Sequence, residues 1–160
     1  MLCIDQNQFD AIRRHGEETY PHECCGVLLG HMEDDGSTVF DTVPAENTRS
    51  DSAHNRYQIA PQELIGIQQQ ARPRGLDIVG FYHSHPDHPA EWSKTDLEEA
   101  HWIGCSYVIT RVAGTPDQGA GERAGCRAME TNSFLLAGTG EEDKRLERQA
   151  IQVVGAVGAK

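Results

Sequence analysis

A chain of 160 residues, 38% apolar and 24% charged, has the length and mixture expected of one compact folded domain. Its formal net charge of −11 argues against a general nucleic-acid binder, because its 14 Lys and Arg form no cluster beyond Arg13-Arg14 and Arg72-Pro73-Arg74. The opening MLCIDQNQFD lacks the apolar stretch of a signal peptide, and no segment approaches the ~18 apolar residues of a membrane span, so no membrane partner and a cytoplasmic location are expected.

Residues 6–19 are expected to be helical, with Asp5 as N-cap, Phe9 and Ile12 starting an inward face, and Pro21 closing the segment. CCGVLLGHM at 24–32 reads as a buried strand, and Asp34-Asp35-Gly36-Ser37 as a hairpin turn into a second strand near 38–44. Residues 45–56 are polar and predict a surface loop. Pro61 suits the first position of a helix over 61–72, with Leu64, Ile67 and Ala71 on one face and Ile59 placed to staple onto Leu64. Gly75 then releases the chain into LDIVGFYHSHP, an apolar run typical of a central strand. Ser93 opens a third helix to about residue 102, and CSYVITRVA at 105–113 is another strand. A loop at 114–122, a strand near 123–130 and a short one at 133–137 follow. Leu146, Ala150, Val153 and Val157 fall at helical spacing, with Thr139 and Glu142 as a capping box, so 139–160 is expected to be a C-terminal helical segment packed on the core. The order predicts one α/β or α+β domain, 1–160, built as a central mixed sheet flanked by helices.

Five cysteines at irregular spacing fit reduced thiols better than a disulfide framework, and without a CxxC a thiolate zinc knuckle is not expected. Adjacent Cys24 and Cys25 would point to opposite faces of a strand, which suits small buried apolar side chains better than a redox pair.

The informative segment is His83-Ser84-His85-Pro86 followed by Ser93 and Asp96. On one strand His83 and His85 point the same way, about 7 Å apart at their α-carbons, and can converge on one ion. Asp96, one turn into the next helix, can add an oxygen ligand. Two imidazoles and a carboxylate leave a fourth tetrahedral position for water, the pattern of a catalytic rather than a structural zinc site. A plainer account stays open at this point: a His-x-His pair can be a surface or core pair, and Ser93-x-x-Asp96 can be a simple helix cap. His88 and His101 compete with Asp96 as third ligand.

With Glu23 upstream in PHECCGVLLG, the run HSHPDHPAEWSKTD resembles the JAMM (MPN+) metalloprotease signature: an upstream Glu, His-x-His, residues 86–92, then Ser-x-x-Asp. Every motif position matches, Asp87-His88-Pro89-Ala90 resembles the compact prokaryotic branch, and the resemblance runs loosely from about residue 5 to 138. It implies a cytidine-deaminase-like JAMM/MPN sandwich, one zinc ion per chain on His83, His85 and Asp96, Glu23 as proton acceptor from water, and Ser93 as stabiliser of the oxyanion. It also implies a ubiquitin-like partner with a Gly-Gly tail. In the compact branch this is a sulfur-carrier protein, from which an amino acid or peptide adduct is released. Alternatives are a deubiquitinase-like isopeptidase or other peptide hydrolase, and a non-catalytic MPN scaffold. A homodimer is left open.

Overall fold

The computed structural model describes residues 1–48, 57–114 and 125–155. It comprises strands β1 (Leu2–Asp5), β2 (Cys25–Glu33), β3 (Gly36–Ala45), β4 (Asp77–Pro86), β5 (Ser106–Gly114), β6 (Cys126–Ala137), β7 (Arg145–Gln149) and β8 (Ile151–Val154). The helices are α1 (Gln6–Thr19), α2 (Pro61–Ala71) and α3 (Lys94–Glu99), with a 3-10 turn at Arg72–Arg74. The expected mixed sheet with flanking helices is present. One eight-stranded sheet has the order β7-β6-β5-β4-β2-β3-β1-β8.

Alternation along the central strands divides the core, with one step out of phase on β4, where the pairing with β2 shifts from Leu28↔Gly80 to Leu29↔Ile78 and sets Ile78 and Phe81 on one face. From β2, β4 and β5, Val27, Leu29, Ile78, Phe81, Tyr107 and Ile109 pack with Ile67 and Ala71 of α2, and Leu97 of α3 joins them. The intervening Leu28, Val79, Tyr82 and Val108 pack instead with Ile12 of α1. The helices begin as their sequences dictate. The Asp5 carboxylate accepts from Asn7 N at 2.9 Å, and Pro61 occupies the first turn of α2. Gly75, at φ 71°, supplies the left-handed residue that redirects the chain into β4.

The C-terminal helical segment expected over 139–160 is not what forms. Residues 145–149 pair antiparallel with β6, and 151–154 pair parallel with β1; Val157 lies outside the described residues. The capping box at Thr139 and Glu142 is replaced by a turn in which the Asp143 carboxylate accepts from the Thr139 and Gly140 amides. Two exposed backbone margins were waiting for partners, and pairing them outweighs a weak helical stripe. β7 and β8 sit at opposite margins of the sheet yet only Ala150 separates them in the chain. A three-residue span bridges at most about 7 Å, so the sheet curls until its margins meet.

Two smaller expectations also change: β6 is continuous rather than broken near 131, and α3 stops at Glu99. The strand at Leu2–Asp5 adds an element for which the sequence carried no expectation. The part of β6 not covered by β7 is covered by α1: Arg13 donates to the Ala128 and Met129 carbonyls, and Glu17 accepts from Ala128 N. Leu146 is buried beside Leu136 in the α2/α3 core. Leu146→Ala is therefore expected to cost about 3 kcal/mol, measured by urea unfolding of the metal-free protein; a cost within the range of surface substitutions would contradict the strand placement.

Candidate active site

Local structure delivers each sequence-predicted residue to one place. His83 and His85 lie on β4 at the parity of Phe81, so both face the α2/α3 side, while Ser84 faces α1 and its Oγ accepts from Cys24 N at 2.9 Å. β2 runs antiparallel to β4 with Cys25 opposite His83. Continuing that register sets Glu23, just ahead of β2, abreast of His85. After Pro86, Asp87 turns the chain at φ 58°. Its carboxylate holds the turn by accepting from Tyr20 Oη at 2.6 Å and Gly114 N at 2.8 Å. Ser93 then caps α3 by the capping box expected: its Oγ accepts from Asp96 N at 3.1 Å, and the Asp96 carboxylate accepts from Ser93 N at 2.8 Å.

The cap and the cluster use the same aspartate. Asp96 Oδ1 lies 3.2 Å from His83 Nε2 and Oδ2 lies 3.1 Å from His85 Nε2, while the two Nε2 atoms are 3.1 Å apart. His85 Nδ1 is 2.8 Å from the Pro89 carbonyl. A carbonyl can only accept, so the neutral ring carries its hydrogen on Nδ1 and aims a bare lone pair at the cluster. Acceptor atoms thus converge in a buried space where hydrogen bonding cannot satisfy every edge of the triangle. Ligands about 2.05 Å from a tetrahedral ion stand roughly 3.3 Å apart, close to these separations. The donor set fits zinc. Among the described residues, His83, His85 and Asp96 are the group able to share an ion. His101 is instead exposed and pairs with Glu141 at 2.9 Å, and His88 lines the adjacent cleft without joining the cluster.

Burial sets the electrostatics. Burial pushes the Asp96 carboxyl up, but His83 and His85 outweigh it and leave the group below the ordinary carboxylate range. Burial lowers both histidines; it prevails at His83, whereas the Asp96 hydrogen bond prevails at His85 and raises it. Glu23 is pushed up to about 8, chiefly by burial, and its Oε1 has no hydrogen-bond partner. Glu23, His85, His88, Trp92 and Ser93 line a cleft of about 390 Å³.

Two contributors carry no sequence signal of their own. Tyr57 stacks on His83, ring centroids 4.5 Å apart, and lines a second cleft of about 460 Å³ with Leu64, Phe81, Trp102 and Tyr107. Asn47 donates to the Glu23 carbonyl at 3.3 Å and accepts from Gln58 N at 3.1 Å, tying the Glu23 backbone to the segment that carries Tyr57. Cys24 and Cys25 are buried, and burial raises both thiols, Cys24 to about 11. Low-pKa redox chemistry finds no support there.

The Glu23 shift has a sign that can be measured. Its carboxyl loses its proton near 4.5 when unfolded but near 8 when folded and metal-free. Between those values the folded chain holds a proton that the unfolded chain has released, so this contribution to stability declines as pH rises. Glu23→Gln removes the decline. Urea unfolding of metal-free protein at about pH 5 and about pH 8 should show the variant gaining on the wild type at the higher pH; parallel behaviour would refute the burial argument.

A profile of the prokaryotic homologs of the JAB domain matches residues 5–128. The desampylase of Haloferax volcanii is 38% identical over 117 residues, covering 71% of this chain and 82% of that protein. A probable TtuB-protein conjugate cleaving protease of Thermus thermophilus is 29% identical over 114 residues, covering 71% and 72%. A solution structure of a protein from Salinibacter ruber aligns over 94% of this chain and 90% of its own, with 36% identity and a TM-score of 0.65. The chain therefore belongs to the prokaryotic JAB-domain family.

Proposed function

We propose that this protein is a zinc-dependent peptidase that hydrolyses the bond after the C-terminal Gly-Gly of a ubiquitin-like sulfur-carrier protein, releasing an amino acid or peptide adduct. The observation that carries the reading is the convergence of His83 Nε2, His85 Nε2 and the Asp96 carboxylate, all within 3.2 Å of a neighbour, beside a buried Glu23 whose Oε1 has no hydrogen-bond partner among the described residues. Bound zinc would supply Lewis acidity and lower the pKa of water from ~15.7 toward ~7.

The chain's own groups do the rest. Glu23 accepts the proton of the attacking water and returns it to the leaving amine. Before zinc binds, burial holds that carboxyl near 8, so it carries a proton at neutral pH; the charge of a bound cation would release it and make the carboxylate the acceptor. The Ser93 Oγ accepts from Asp96 N, which leaves its own hydroxyl hydrogen to donate to the oxyanion of the tetrahedral intermediate. His83 and His85 are almost wholly buried, 2% and 7% exposed. A tail without side chains can approach them most closely, which favours Gly-Gly. An extended tail could add as a strand to reach the cleft. The name of the T. thermophilus relative describes cleavage of a protein conjugate, which favours this class of partner. Residues 45–56 and 113–123 leave little chain for insertions that would embrace a larger partner.

Glu23→Gln is expected to retain stoichiometric zinc by metal analysis while losing about 10²–10⁴-fold in hydrolysis. The assay substrate is a sulfur carrier extended by one residue, run against a ubiquitin isopeptide and a peptidoglycan peptide. Loss of metal in the variant would make Glu23 a ligand and overturn its role. Preference for either competing substrate would replace the sulfur carrier, and zinc without hydrolysis of any of the three would leave a binding module.

A further inference from the structure

Asp96 rides on α3, a helix of only six residues. So short a helix is marginal by itself, and the carbonyls of its last turn have no partners within it. Its start is held by the Ser93 capping box. Its end is held from far along the chain. Lys144 Nζ donates to Ala100 O at 2.7 Å and to Glu98 O at 3.2 Å, and pairs with Glu141 Oε1 at 2.8 Å. An ammonium has three N–H donors, and all three are taken. The Lys144 side chain is 7% exposed, unlike a lysine spread over a surface, and α3 has no basic residue of its own in its last turn. A cation there also suits the negative end of the helix.

Lys144 is itself fixed in place. Just before it, the Asp143 carboxylate accepts from Thr139 N, Thr139 Oγ1 and Gly140 N, closing a tight turn. Gly138 enters the turn at φ 119°, where a Cβ would meet Asp143 O at 2.8 Å. Directly after Lys144, β7 joins the sheet through Leu136↔Leu146 and Ala137↔Arg145. From the same strand the Arg148 guanidinium pairs with Glu91 and lies over the Phe134 ring, and Asn132 Nδ2 donates to Ala90 O at 2.9 Å. The segment between His85 and Ser93 is thus tied to the same margin of the sheet. Lys144, its turn, and the β6 and β7 residues that hold this segment all lie beyond residue 128, where the family match ends.

We infer that Lys144 is a positioning residue for the metal centre, fixing the C-terminal end of α3 so that the Asp96 carboxylate meets His83 and His85. The inference rests on the metal reading of that cluster. Without the clamp, α3 is free to fray from its open end, and Asp96 leaves the place where the two histidines need it.

The test is the zinc affinity of folded, metal-free protein, read by competition with a chromophoric chelator, with thermal unfolding of the metal-free forms measured alongside. Lys144→Met is expected to weaken zinc binding by about tenfold or more, and Lys144→Arg to recover most of the loss, because a guanidinium offers several donors. A Lys144→Met protein that melts earlier yet binds zinc as tightly as wild type would show a purely structural lysine and overturn the inference. Should that variant fail to fold, Glu141→Ala removes one of the three ammonium partners from the surface; a smaller loosening in the same direction supports the clamp, and unchanged affinity overturns it. Wild-type zinc that depends on Asp96 but not on Lys144 removes the clamp alone. Wild-type protein that takes no zinc, or keeps it in Asp96→Ala, removes the metal reading and the clamp with it.

Discussion

The two-residue period of a β-strand governs this molecule. On β4 it sends Phe81, His83 and His85 to the face covered by α2 and α3, and Tyr82 and Ser84 to the face covered by α1. Had the register slipped by one residue, the imidazoles would lie under α1, away from Asp96 and Glu23. Neighbouring strands enforce the register: β2 sets Cys25 against His83, and β5 sets Ile109 against His83 and Arg111 against His85. The apolar residues that build the core therefore also aim the polar ones.

Burial makes that aim consequential. His83, His85, Asp96 and Glu23 are groups that water would solvate well, and the fold removes them from most of it. Within the cluster the Pro89 carbonyl fixes the His85 tautomer, so lone pairs face one another across about 3 Å. A divalent cation would relieve this arrangement, and a proton relieves it in part, consistent with the raised His85 and lowered Asp96. Glu23 feels the same burial, which His85 offsets only in part, and it holds its proton instead.

The curled sheet brings remote chain to the site. Because β7 and β8 join its two margins across Ala150, residues more than forty positions beyond Asp96 return to the end of α3. The two clefts are likewise assembled from separate places in sequence: Glu23 precedes β2 and Trp92 precedes α3 in one, and Tyr57 precedes α2 in the other. Asn47 ties the Glu23 backbone to the segment that carries Tyr57, and Asp87 ties Tyr20 to Gly114, each through a pair of hydrogen bonds.

The sequence alone determined what local chemistry controls. Asp5 and Pro61 mark helix starts, the apolar run before His83 marks the central strand, and the resemblance of the run from His83 to Asp96 to the JAMM signature names the cluster. It could not place 145–154, where Leu146, Ala150 and Val153 satisfy a helical period and a pair of short strands alike. Nor could it reveal that Tyr57 stacks on His83 or that Lys144 closes α3, since neither sits within a motif. Those decisions were tertiary: unpaired strand margins, orphan carbonyls and a buried ring each require a partner, and only the folded chain settles which residue is near enough to serve.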